Sequence, residues 1–144
     1  GEIVLSPAIQ LLNIDNLDEI LKWWIEFSDG EPDGGPGSPF GVSWRAQVFY
    51  PTICNYDILP TEYKESVANK LEQSLEDFSP YKNIFRFVKN QIINLRKDNY
   101  NDEQKKHFQK AFIRYNDTQD RHRKSKTWRE LLPDLEKALT KSLS

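Results

Sequence analysis

The sequence predicts an α/β fold weighted toward helix, with two or three short strands near the N-terminus followed by a helical part. Three observations predict it. Short apolar or aromatic runs closed by proline fall within residues 1–60, apolar residues recur at helical spacing through residues 61–144, and most of the glycine lies in one stretch of the first part. At 144 residues, the chain is the size of one ordinary domain. It is therefore read as a single domain, residues 1–144, with a strand-helix-strand part (1–60) containing a Gly/Pro loop (28–41) and a helical part (61–144).

Each element has its own local signal. Ile3-Val4-Leu5 is an apolar run ended by Ser6-Pro7, as in a buried strand. Residues 16–27 read as a helix, because Asn16 with Glu19 makes a capping-box pattern and Leu17, Ile20, Leu21, Trp24 and Phe27 share one face. The stretch SDGEPDGGPGSPFG, residues 28–41, holds five of the six glycines and three of the eight prolines, so it reads as a loop. It lacks a Walker pattern, and Asp29, Glu31 and Asp33 would repel phosphate. Trp44 to Tyr50 is aromatic and β-branched, and Pro51 closes it as a strand.

The helical part opens at Leu59-Pro60, with proline suited to a first turn and Tyr63, Val67, Leu71 and Leu75 on one stripe. Ser79-Pro80 repeats the signal for a helix to about Lys97, with Ile84, Phe87, Val88, Gln91, Ile92 and Leu95 inward. Asn101 with Gln104 caps a third long helix, whose predicted apolar stripe is Phe108, Ala111, Phe112 and Tyr115. The final segment, TWRELLPDLEKAL, starts at a Thr127-Glu130 capping box and is interrupted by Pro133. Trp128, Leu131, Leu132, Leu135 and Leu139 would pin it onto the preceding helices.

Composition narrows the function. Hydrophobic content of 38% with four tryptophans belongs to a folded globular chain. No apolar run reaches the roughly 18 residues of a membrane span, and no charged lead-in precedes an apolar signal segment. Cys54 is the single cysteine, which excludes an internal disulfide and points to a reducing cytoplasm. The chain begins at Gly1 and contains no methionine, so its N-terminus is expected to come from processing or from truncation of a longer reading frame. Residues 1–60 carry nine acids and two bases, a balance of −7, whereas residues 61–144 carry thirteen acids and eighteen bases, a balance of +5. The basic half is either a solvated helical surface or an anion-binding face.

Few groups suggest chemistry. His107 and His122 have no histidine at i+4 and no nearby cysteine, so zinc is not expected. Asp117 and Asp120 share a helical side, either as an acid-base pair or, more ordinarily, as partners of Arg114, Arg121 or Arg123. No nucleophile motif surrounds any serine. A nucleic-acid reading rests on Lys105, Lys106, Lys110, Arg114, Arg121, Arg123, Lys124, Lys126 and Arg129, with Tyr115 and Trp128 for stacking. Asp102, Glu103, Asp117, Asp120 and Glu130 interrupt that patch, and the sequence pI is near 5.7. A helical protein-interaction module is a third reading.

The order of SPAIQLLN, a tryptophan pair in a helix, a strand ending in Pro51, ILPTEYKESVANKL, and TQDRHR leading to ELLPDLEKAL resembles the C-terminal part of phage and marine-metagenome radical SAM proteins. The resemblance implies that residues 1–60 are the last units of a partial β/α barrel and the remainder a helical cap. It implies a cofactor-facing role for Asn13, Pro51, Thr52 and Ile53. Asp120 and Arg123 become a polar pair fixing the cap, and Asp120, Arg121, His122, Arg123 and Trp128 become candidates for contact with substrate or an anion. S-adenosylmethionine and a 4Fe-4S cluster are then expected only in a longer parent protein, because the family's Cys-x-x-x-Cys-x-x-Cys loop is missing here. The chain would be the non-cluster part, without turnover of its own, and its partner the N-terminal remainder of the same protein.

Overall fold

The computed structural model describes residues 3–5, 8–33, 39–42, 48 and 50–144. Six α-helices occur among them: α1 (Leu17–Phe27), α2 (Thr61–Ser74), α3 (Lys82–Leu95), α4 (Asp102–His122), α5 (Trp128–Leu131) and α6 (Pro133–Leu143). Two three-residue strands, β1 (Ile3–Leu5) and β2 (Phe40–Val42), pair in parallel with Ile3 opposite Phe40 and Leu5 opposite Val42.

That ladder corrects the expected fold class. A partial barrel needs several strands long enough to carry a wall, and two strands of three residues are too short to form an independent layer. Helices dominate the described residues. The strand expected from Trp44 to Tyr50 lies largely outside them, and Val48 and Tyr50, which are described, belong to no strand. Past Pro51 the chain winds into two tight helical turns, at Thr52–Cys54 and Tyr56–Ile58. Tyr56, Ile58 and Leu59 are fully buried there, so this segment forms the centre of the core. Tyr50, the last residue of the expected strand, is exposed, and the buried apolar residues lie past Pro51, in the tight turns, where no strand was expected.

The helices pack around those turns. Leu17, Leu21 and Trp24 of α1, Val67, Ala68 and Leu71 of α2, and Ile84, Phe87, Val88, Ile92 and Leu95 of α3 are buried together. The inward face of α3 is the one its spacing predicts. Its start is not: residues 79–81 form a turn, and α3 begins at Lys82 without a cap from its own Tyr81. Asp33 supplies the cap across the chain, accepting from the amides of Asn83 at 3.0 Å and Ile84 at 3.3 Å. Just upstream, Asp29 and Gly30 take positive φ values of 53° and 80°, and the Trp24 indole donates to the Pro32 carbonyl at 3.0 Å. An acidic loop residue thus ends up satisfying the orphan amides of α3.

α4 departs most from its predicted face. Its buried residues are Lys105, Gln109 and Phe112, whereas Tyr115 is 52% exposed. The rotation is possible because the inward polar groups find partners. Gln109 donates to the Ile58 carbonyl at 2.7 Å and accepts from Ser142 of α6 at 2.8 Å. An apolar period cannot reveal a helix that buries hydrogen-bonded polar side chains.

Candidate functional site

The terminal segment closes on Asp117. Its carboxylate accepts from the Trp128 indole at 2.8 Å, and Arg129 donates to both of its oxygens, through Nε at 3.2 Å and Nη2 at 2.9 Å. Arg129 continues to Glu136 of α6 at 3.2 Å, and its guanidinium lies 4.9 Å from the Trp128 ring centre. The Arg129 hydrogen bonds, with help from Trp128, hold the Asp117 carboxyl below the usual carboxylate range against the opposing effect of burial. Trp128 itself is buried and meets Phe112 edge-to-face at 5.3 Å. Thr127 accepts from the Glu130 amide at 3.2 Å, which is one half of the expected capping box. At α4, by contrast, Asn101 and Gln104 make both halves.

Asp120 and Arg123 do not pair through their side chains. The Asp120 carboxylate accepts from the Trp128 amide at 3.0 Å, and its carbonyl takes the Arg123 amide at 3.3 Å. Asp120 therefore caps the start of the terminal segment. Arg121, His122 and Arg123 are exposed, and neither arginine forms an ion pair among the described residues. Asp117 and Asp120 are both engaged by the clasp, Asp117 by Trp128 and Arg129 and Asp120 by the Trp128 amide. Sequence reasoning included Asp117 but assigned it neighbours on its own helix. The Arg129 partner is twelve positions away, across a chain reversal that helical spacing cannot foresee.

The residues expected near a cofactor lie in adjoining turns. The Asn13 side chain closes its own turn, accepting from the Gln10 amide at 2.8 Å and donating to the Ala8 carbonyl at 2.9 Å. The Leu11 amide reaches the Cys54 carbonyl at 3.1 Å, which brings this turn beside Pro51, Thr52 and Ile53. These residues do not fit an iron–sulfur cluster. Burial pushes the Cys54 thiol up from its ordinary value, and no group of three or more His, Cys, Asp or Glu able to hold a metal exists among the described residues.

The basic segment splits in two. Lys105 is buried against Asp98 and Thr61, and the half-buried Arg129 is bound to Asp117 and Glu136. Lys106, Lys110, Arg114, Arg121, Arg123, Lys124 and Lys126 are exposed and form no ion pair among the described residues. At about 100° per residue, Lys106, Lys110, Arg114 and Arg121 fall within about 80° of one another on α4, a stripe about 22 Å long. Two acids fall within that arc: Glu103, one turn before Lys106, and Asp117, which is paired with Arg129. Tyr115 projects from the other side of the helix.

Sequence reasoning missed a buried charge centre. Lys64 and Lys105 are both nearly inaccessible and share one carboxylate, Asp98, with Lys64 at 2.9 Å and Lys105 at 2.5 Å. Lys64 also donates to the Lys97 carbonyl at 2.6 Å and Lys105 to the Thr61 hydroxyl at 2.8 Å. The Lys105 bond is the main reason the Asp98 carboxyl falls to about 2. No helix among the described residues is long and apolar enough to cross a membrane. No known family model, curated protein or solved structure matches this chain.

Proposed function

We propose that this chain is a helical nucleic-acid-binding domain without turnover of its own, acting in the cytoplasm and gripping phosphates through the outer face of α4. The observation that supports it is the run of exposed, unpaired cations Lys106, Lys110, Arg114 and Arg121, extended by Arg123, Lys124 and Lys126. Trp128 is buried and Tyr115 lies on the other side of α4, so base stacking contributes little; the grip rests on phosphate contacts, which carry no sequence information. A fluorescence anisotropy titration at low salt tests it with duplex and single-stranded probes. Reversing charge in Lys110→Glu with Arg114→Glu is expected to weaken binding about 100-fold or more while leaving the fold unchanged. Equal affinity of the variant and the parent chain would remove the proposal.

A second reading, the C-terminal non-cluster part of a radical SAM-like protein, is supported by the adjacency of the Asn13 turn and Pro51–Ile53. Translating the gene upstream of Gly1 tests it. A Cys-x-x-x-Cys-x-x-Cys loop in frame would favour that reading, and a start codon directly before Glu2 would exclude it.

A further inference from the structure

A groove of about 600 Å³ lies between α2, α4 and α6, within the size range of small-molecule sites. Its apolar surface comes from Pro60, Tyr63, Ala138 and the stems of lysines. Around its rim, Lys106, Lys137 and Lys141 are matched in number by Glu62, Asp102 and Asp134, and Lys141 pairs with Glu62 at 3.0 Å. The rim is therefore close to neutral. The imbalance is beneath it: Lys105 lines the groove, and it shares Asp98 with Lys64, so two buried ammonium groups face one carboxylate. Each ammonium has three N–H donors. Lys105 places two, on Asp98 and Thr61, and Lys64 places two, on Asp98 and the Lys97 carbonyl, among the described residues. A buried positive charge without a full counter-charge costs stability unless an anion compensates it.

We propose that this groove binds a small organic carboxylate, its single negative charge directed at Lys105 and its apolar body lying against Tyr63, Pro60 and Ala138. One excess positive charge calls for one negative charge, and the predominantly apolar walls call for a hydrocarbon body rather than an inorganic ion. Burial, followed by the charges of Asp15 and Asp134, pushes the Tyr63 hydroxyl well above its ordinary range, so it stays a neutral donor beside the ligand. The site is independent of nucleic-acid binding by α4 except for Lys106, which borders both.

Amide NMR titration with hexanoate tests the proposal, using hexanol and hexylammonium as neutral and cationic controls. Hexanoate is expected to perturb the amides of residues 61–63, 102–106 and 138–142 saturably, with hexanol at least about tenfold weaker and hexylammonium without effect. Lys105→Gln should weaken hexanoate about tenfold or more. Asp98→Asn, which raises the excess charge, should tighten it severalfold, and this opposite sign keeps the test decisive if Lys105→Gln does not fold. Absence of saturable perturbation, equal binding of hexanol, or weaker binding by Asp98→Asn would each overturn the assignment. Both substitutions leave Lys110, Arg114 and Arg121 intact, so loss of carboxylate binding is distinguishable from loss of nucleic-acid binding.

Discussion

Asp98 and Asp120 show how much single carboxylates do in this protein. Asp98 is the shared counter-charge of two buried lysines, and its carboxyl is held at about 2, below an ordinary value of 3.8. A carboxylate depressed in the folded state stabilises above its unfolded value, and that contribution is lost as pH falls. The loss should run from about pH 4 down to about 2. Asp98→Asn should therefore show a flatter acid limb in thermal melts followed against pH. At neutral pH it should lose about 2 kcal/mol, less than for a fully buried pair because Asp98 is about half exposed. For the clasp, Asp120→Ala should cost about 1 kcal/mol through loss of the cap on Trp128, whereas Arg123→Ala should stay within about 0.5 kcal/mol. Chemical denaturation of both variants checks this, and equal losses would restore the expected side-chain pair. The sequence pointed to Asp120 but not to its partner, since an amide eight residues on is reached only after the chain reverses.

Helices were legible where apolar spacing alone decides their burial. The inward face of α3, the capping box of α4 and the break at Pro133 are all present. The face of α4 and the start of α3 were not legible, because Lys105 and Gln109 are buried through tertiary hydrogen bonds and α3 takes its cap from Asp33. Replacing Asp33 with alanine should thus destabilise a helix 49 positions downstream by about 1 kcal/mol. Hydrogen exchange would locate the effect in the first turn of α3. Protection there equal to that of the parent chain would mean that the loop carboxylate contributes nothing.

At the scale of the whole molecule, the expected partial barrel is replaced by a helical body around the turns at Thr52–Cys54 and Tyr56–Ile58, and among the described residues the strand expected at Ile3–Leu5 contributes only to a short parallel ladder. The charge asymmetry between the halves was visible in the sequence. Its meaning was not, because helical rotation decides which lysines reach solvent and which are buried. The structure buries Lys105, ties Arg129 to Asp117 and Glu136, and leaves Lys106, Lys110, Arg114 and Arg121 exposed along one side of α4. The most direct measurement is the salt dependence of duplex DNA affinity. Four contacts by Lys106, Lys110, Arg114 and Arg121 should give a log–log slope of about −3.6, falling toward about −1.8 in the Lys110→Glu, Arg114→Glu variant. A slope near zero, or one unchanged by the substitutions, would contradict phosphate binding by this face.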